Sequence, residues 1–175
     1  RSLDADLGLA LALDARQALR PDLRLLVMSA TLDGARVASL LGGCPVISSE
    51  GRAFPIETRY LGRSGMRIED DMADAVVRAL RDETGSVLAF LPGQGEIART
   101  AERLAGRVRD PSVDIVPLYG ALDMVAQDRA VSRAPEGRRK VVLATSIAET
   151  SITIEGVRVV IDSGLARVPR YEPDV

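Results

Sequence analysis

Short runs rich in β-branched residues alternate with longer amphipathic stretches over most of residues 69–161. The runs are four or five residues long, which is typical of strands that are buried on both faces. The runs predict strands at 87–91, 114–118, 141–144 and 157–161. Apolar residues recur every three or four positions between them, which predicts helices at 69–83, 96–108 and 122–132. This alternation predicts an α/β fold, a parallel sheet joined by right-handed crossovers.

The first fifty residues give a similar but shorter pattern. Leucines and alanines recur every fourth position over residues 3–19 and predict a helix that Pro21 ends. A strand at 24–28, a helix at 35–41 and a short strand at 46–47 follow. We interpret this order as the end of an α/β domain.

A domain boundary is predicted around Gly51 and Pro55, where periodicity is lost. We expect residues 1–50 to be the C-terminal part of a first domain and residues 51–58 to be a linker. Residues 59–175 then form most of a second domain, with a possible strand at 59–61 leading into it. The chain does not begin with Met, and we expect it to be a fragment of a longer protein.

Composition excludes several kinds of site. One cysteine, Cys44, and no histidine exclude an internal disulfide and a His-dependent triad, and make a His- or Cys-based zinc site very unlikely. No apolar run reaches the ~20 residues of a membrane span, so we expect a cytoplasmic protein without a membrane partner. A net charge of −2 argues against a protein that simply coats nucleic acid. However, 22 of the 23 basic residues are arginine, which suits bidentate phosphate contacts.

A polar insert follows the strand at 141–144. Five hydroxyl side chains and the carboxylate of Glu149 lie within residues 145–153. Ligands bind at the carboxyl ends of strands in open parallel sheets, so this insert is a candidate site. A purely local role also fits, because Ser146 and Glu149 match the S-x-x-E capping box of a helix N-terminus.

A second candidate is the glycine-rich turn after residue 91. Residues 93–98 match G-x-G-x-x-A between a strand and a helix, as in dinucleotide-binding proteins. The acidic residue expected at the end of the next strand is missing, because that strand ends in Leu118-Tyr119-Gly120. A tight strand–helix turn is the simpler interpretation, and a dinucleotide enzyme stays the third alternative.

Several motifs in order resemble the DEAH-box family of ATP-dependent RNA helicases, in particular its bacterial members. Residues 1–4 resemble the stretch that follows the D-E-x-H box, and residues 51–55 resemble the G-R-x-x-P segment between the two domains. The other matches are S-A-T-L-D at 29–33, F-L-P-G…E-I at 90–97, L-Y…Q at 118–127, A-T-x-I-A-E-T-S-x-T-I at 144–154 and D-S-G at 162–164. The resemblance covers essentially the whole chain.

The resemblance implies RecA-like sheets of the P-loop NTPase type, the end of one such domain and most of a second. It implies an enzyme that couples ATP hydrolysis, with Mg²⁺, to movement on and unwinding of single-stranded RNA. Its coupling motif would be Ser29, Ala30 and Thr31. Gly120 and Thr145 would contact RNA phosphates, which gives sequence-independent binding. Thr153 and Glu155 would lie near the nucleotide, and residues 165–171 would begin a strand-separating hairpin.

The chain also departs from the family pattern. Ser146 stands where the family usually has Asn, and Ile152 where Leu is common. The G-x-x-x-x-G-K-[ST] loop, the D-E-x-H box and the Q-R-x-G-R-x-G-R motif are absent from the sequence. These motifs supply the phosphate cradle, the metal and water positioning, and the arginine fingers. We therefore expect no catalytic residue, no metal ligand and no ATP hydrolysis by this chain alone. The alternative function is a non-catalytic α/β module that binds nucleotide or nucleic acid.

Overall fold

The computed structural model describes residues 3–28, 33–49, 51, 54–62, 64–146, 148 and 153–167. It divides into two compact units, Arg1–Glu57 and Thr58–Val175. The division falls at the C-terminal end of the predicted linker, and the assignment of the units to two domains stays a prediction. In the part of the chain that is described, no helix is both long and apolar enough to cross a bilayer.

Two helices form the regular structure described in the first unit. α1 spans Leu3–Ala18 and α2 spans Gly34–Leu40, as predicted. Asp33 caps α2, because its carboxylate accepts a hydrogen bond from the Arg36 backbone N–H at 3.3 Å. Gly42 and Gly43 follow α2 with φ of 84° and 82°, so both glycines allow the left-handed turn that ends the helix.

The strands predicted in and beside this unit are wrong. Residues 24–28, 46–47 and 59–61 do not form strands. An apolar extended segment becomes a strand only when a neighbouring strand accepts and donates its ladder hydrogen bonds. No described segment of the first unit pairs with residues 24–28, and the side chains of Leu26 and Met28 each stay 79% exposed.

The second unit has the predicted parallel sheet. Its elements are α3 (Ile68–Asp82), β1 (Ser86–Phe90), α4 (Gln94–Ala105), β2 (Val113–Leu118), α5 (Met124–Val131), β3 (Arg139–Ala144) and β4 (Val157–Asp162). Within the described residues the strand order is β2-β3-β1-β4, and every pair is parallel. The predicted α/β fold class, a RecA-like parallel sheet with flanking helices, is confirmed.

Both faces of the sheet are covered by apolar side chains. On one face, α3 and α4 pack against alternate residues of the central strands β1 and β3, which are Val87, Ala89, Val141 and Leu143. On the other face, α5 packs with the intervening residues Leu88, Val142 and Ala144. Strands buried on both faces explain why the sequence shows continuous apolar runs instead of alternation.

The start of β4 contains a bulge. Ser86 pairs with Val157, but Val87 pairs with Val159, which leaves Arg158 as the extra residue. The Arg158 side chain lies against Gly85, where a Cβ would approach its Cγ to 2.5 Å. Gly85 also has φ of 82°. This position therefore requires glycine for both conformational and steric reasons.

The first two residues of β3 hold helix ends on opposite faces of the sheet. Lys140, the single lysine of the chain, is buried and donates to the backbone carbonyls of Arg129 (2.8 Å), Ala130 (3.2 Å) and Ser132 at the end of α5. Arg139 donates to the carbonyls of Leu80 (2.9 Å), Glu83 (2.8 Å) and Gly85 (2.6 Å) at and beyond the end of α3. The carbonyls of a last helical turn lack intrahelical partners and favour cations, so both contacts stabilise the helix ends.

Candidate RNA and nucleotide sites

The carboxyl ends of the four strands meet at one edge of the sheet. Ala144 pairs with Leu118 on one side and with Phe90 on the other. Backbone hydrogen bonds extend this alignment beyond the strands, from Thr145 N to Leu118 O (3.1 Å) and from Leu91 N to Ala144 O (2.8 Å). We call this the carboxyl edge. It is where ligands bind in open parallel α/β sheets.

Two predicted RNA-binding residues lie on this edge. Gly120 follows β2 by two residues and is exposed. Thr145 follows β3 directly, and its backbone is fixed by the bond to Leu118 and by a bond from Ala148 N at 3.2 Å. Among the described residues, no group forms a hydrogen bond with the Thr145 hydroxyl. The structure thus places the Thr145 hydroxyl, which no described residue binds, and the exposed backbone of Gly120 on adjacent strand ends.

The two predicted nucleotide-binding residues lie at the opposite end of the sheet. Thr153 and Glu155 are exposed and precede β4, while Ile154 between them is buried against the face covered by α5. The next carbonyl, that of Gly156, accepts a hydrogen bond from Ser86 N at 3.0 Å, at the start of β1. This amino edge is separated from Thr145 by the length of the strands.

A cavity of about 270 Å³ opens at the amino edge next to Glu155. It is lined by the α5–β3 turn, residues 133–138, together with Gly85, Ser86 and Gly156. Arg138 forms an ion pair with Asp114 at 2.6 Å, and the hydrogen bond from the Arg138 guanidinium lowers the pKa of the Asp114 carboxyl. Arg133 forms no ion pair with any described residue. Within the described part of the chain, the cavity therefore presents the unpaired guanidinium of Arg133, which suits an anionic ligand.

The sequence did not predict this cavity. The sequence signal is weak, a Pro- and Gly-containing turn with three arginines between residues 133 and 139. Such turns are common, and only the sheet topology brings this one beside Gly156.

The coupling motif Ser29, Ala30 and Thr31 lies outside the described residues, and so does Glu149 of the proposed capping box. These assignments stay predictions. No group of three or more Asp, Glu or Cys side chains that could hold a metal ion occurs among the residues that the structure describes.

The glycine-rich turn does not provide the open space of a dinucleotide site. Gly93 caps α4 with extended backbone, φ −168°. A Cβ on Gly93 would lie 2.7 Å from the Arg167 Nε and 2.8 Å from the Glu96 Oε2. A carboxylate at a helix N-terminus repels the pyrophosphate that this turn would bind. The geometry therefore disfavours the dinucleotide alternative.

Comparisons with known proteins agree with the motif order. The family model described as helicase conserved C-terminal domain matches residues 71–172, more than half of the chain. The chain is 55% identical to ATP-dependent RNA helicase HrpB of Escherichia coli (strain K12) over 174 residues, 99% of this chain and 21% of that protein. It is 40% identical to pre-mRNA-splicing factor ATP-dependent RNA helicase prp22 of Schizosaccharomyces pombe over 164 residues, 88% of this chain and 14% of that protein.

A solved structure supports the same relationship. The crystal structure of Escherichia coli DEAH/RHA helicase HrpB superposes with a TM-score of 0.86 at 54% identity, covering 98% of this chain and 22% of that chain. The chain thus spans about a fifth of the length of the Escherichia coli helicase and less of the Schizosaccharomyces pombe one. The resemblance to DEAH-box helicases is confirmed, and the chain belongs to the helicase conserved C-terminal domain family.

Proposed function

We propose that this chain serves in an ATP-dependent RNA helicase, where it binds RNA at the carboxyl edge and the nucleotide at the amino edge. The observation that carries the proposal is the juxtaposition of Gly120 and Thr145. Gly120 supplies an exposed backbone, and Thr145 on the adjacent strand end supplies a hydroxyl that no described residue binds. The relatives named above, ATP-dependent RNA helicases, support the same function.

The chemistry at the carboxyl edge suits an RNA backbone. Hydroxyls and backbone N–H groups donate to phosphate oxygens, and such contacts position a nucleic acid without reading its sequence. Both donors lie at the ends of neighbouring strands, where one RNA strand that crosses the edge can contact both. We therefore expect single-stranded RNA to bind with little dependence on sequence.

At the amino edge, the proposal assigns ATP to the surface near Thr153 and Glu155. The Glu155 carboxylate can accept hydrogen bonds from ribose hydroxyls, and Arg133 in the adjacent cavity can pair with a phosphate. Mg²⁺ and the hydrolytic groups belong to motifs that this sequence does not contain. The chain therefore contributes binding surface to ATP, and the chemistry requires the other motifs.

The chain between the two edges gives a physical link between the ligands. Thr145 lies at the RNA-binding edge and Thr153 and Glu155 of the same segment lie at the nucleotide-binding edge, and Ala148 and Ile154 between them in sequence are buried in the core. A ligand at either end shifts the position of this segment only if it binds one arrangement more tightly than another. Coupling of hydrolysis to RNA movement then follows from that difference in affinity.

The test is the Thr145→Ala substitution in a full-length helicase that carries this chain. Fluorescence anisotropy measures its affinity for several single-stranded RNAs of different sequence. Loss of one phosphate contact should weaken binding about three- to tenfold for every RNA. Thr84→Ala removes another exposed hydroxyl, at the amino edge, and should leave RNA affinity unchanged.

Two results would contradict the proposal. An affinity loss confined to one RNA sequence would show that Thr145 reads bases instead of holding phosphates. RNA-stimulated ATP turnover by the 175-residue chain alone would show that the chain contains its own catalytic groups. The non-catalytic module is the remaining alternative, and it predicts RNA or nucleotide binding without hydrolysis in the full-length protein as well.

A further inference from the structure

The first turn of α4 contacts two separate segments of the carboxyl edge. Gln94, which follows β1, donates from its Nε2 to the hydroxyl of Tyr119 at 3.1 Å, and Tyr119 follows β2 on the far side of β3. Glu96 accepts from the Arg167 guanidinium at 3.1 and 3.3 Å, across to the chain that follows β4. The α4 turn thus reaches the loops on both sides of β1.

The hydrogen bond from Gln94 reaches the residue next to Gly120, which is a predicted RNA-binding residue. Tyr119 directly precedes Gly120, and its ring packs partly buried against the core. The ring fixes one end of the side chain, and the hydrogen bond fixes the other. The hydrogen bond therefore restricts the backbone that leads into Gly120.

The Glu96 carboxylate lies on the buried side of the carboxyl edge. The Glu96 side chain is only 13% exposed, and it also accepts from Arg99 at 2.9 Å. Arg99 in turn pairs with Glu69 of α3, which is buried. Burial alone raises the pKa of Glu96, but its own backbone N–H, Arg167 and Arg99 together lower it, so Glu96 is ionised at neutral pH.

Gly93 provides the space for this ion pair. A side chain there would overlap both the Arg167 guanidinium and the Glu96 carboxylate, as the close distances to an added Cβ show. The Arg167 side chain stays 70% exposed although it is held at one point. The glycine, the carboxylate and the arginine together keep residues 163–167 against the start of α4.

We propose that Gln94 and Glu96, the α4 anchors, are positioning residues that hold the RNA-binding edge in its binding conformation. This inference rests on the proposed RNA site. Neither residue needs to contact RNA. Each acts through another residue, Gln94 through Tyr119 and Glu96 through Arg167. Fixing these loops before RNA arrives reduces the entropy lost on binding.

The experiment uses a full-length helicase that carries this chain, with four single variants and two double variants. Gln94→Ala and Tyr119→Phe remove the same hydrogen bond. Glu96→Gln and Arg167→Gln both remove the ion pair between Glu96 and Arg167, and Glu96→Gln also removes the ion pair with Arg99. The readouts are the RNA concentration that gives half-maximal stimulation of ATP hydrolysis, the maximal rate and the melting temperature.

Each single variant should raise the half-maximal RNA concentration about three- to tenfold, with the maximal rate and melting temperature nearly unchanged. Each double variant should match the stronger of its two single variants, because the effects of removing both partners of one contact are not additive. Tyr119→Phe is the most informative variant, since it keeps the packed ring and removes only the hydroxyl.

Unchanged RNA dependence in these variants, with a weakened Thr145→Ala variant, overturns the anchoring role and leaves the proposed function standing. A lower melting temperature without a change in RNA dependence also overturns it, because it shows a purely structural role. If Thr145→Ala has no effect either, the proposed RNA site itself is wrong.

Discussion

Lys140→Met tests how much the buried ammonium contributes to folding. Methionine keeps a side chain of similar length in the core and removes the charge that Lys140 directs at three carbonyls of the α5 terminus. Burial lowers the pKa of Lys140, whereas Asp114 raises it. The substitution therefore removes both a stabilising set of hydrogen bonds and the cost of burying a charge.

The expected loss can be estimated from the two opposing contributions. Hydrogen bonds to a charged group contribute about 1.5–3 kcal/mol each, and a buried acceptor left unpaired costs about 1–3 kcal/mol. Removing the ammonium also removes a desolvation penalty of several kcal/mol. With three bonds lost and one charge no longer buried, we expect a net loss of about 2–4 kcal/mol in the free energy of unfolding.

Urea denaturation followed by circular dichroism measures this loss. Arg138→Met is the matched control, because Arg138 is a neighbouring basic residue whose ion pair with Asp114 is partly exposed, at 38% and 27% of the side chains. The control should lose less than about 1 kcal/mol. A Lys140→Met variant that loses no more than the control would refute the role of Lys140 in holding α5.

Three further predictions concern the same unit. Thr100→Val should raise the free energy of unfolding by about 1 kcal/mol in urea denaturation, because the buried Thr100 hydroxyl has no hydrogen-bond partner among the described residues. Gly85→Ala should lower it by about 1–3 kcal/mol, measured in the same way, because φ is 82° and an added Cβ meets Arg158. The hydrogen bond from Arg99 lowers the pKa of Glu69, so the stability from this pair is complete above the ordinary pKa of about 4.3 and is lost as pH falls through the lower folded value. Glu69→Gln should therefore be less stable than the parent at pH 7, and the difference, followed by melting temperature against pH, should shrink below about pH 4.

Much of the second unit is predictable because its elements follow local patterns. The predicted strand at 114–118 becomes Val113–Leu118, and the predicted helix at 122–132 becomes Met124–Val131. The later start of α5 has a local cause. The Asp123 carboxylate accepts from Ala126 N at 2.8 Å and caps the helix. Periodicity identifies a helix, but a cap fixes its first residue.

The sequence also predicts that Gly120 and Thr145 lie at the same edge of the sheet. Parallel strands place their carboxyl ends at one edge, so the residues that follow such strands lie along it. The pairing of β2 with β3, which brings the two residues close together, was not predictable, because strand order depends on which runs pair across long loops. The strands predicted at 24–28 and 46–47 failed for this reason, since a strand needs a partner as well as a suitable sequence.

The sequence does not predict the contacts of Arg139, Lys140 and the α4 anchors. Arg139 contacts carbonyls that lie 54 to 59 positions earlier in the chain, and Glu96 meets Arg167 across 71 positions. No local spacing encodes such contacts. They depend on the folded arrangement of helices around the sheet, and only the structure shows them.

The measurement that tests the account most directly is the RNA dependence of ATP hydrolysis in a full-length helicase that carries this chain. Thr145→Ala should raise the RNA concentration for half-maximal stimulation about three- to tenfold and leave the rate without RNA unchanged. Glu155→Gln should raise the Michaelis constant for ATP and leave the RNA dependence unchanged. If both substitutions alter the same constant, or if neither alters any, the assignment of RNA to the carboxyl edge and nucleotide to the amino edge is wrong.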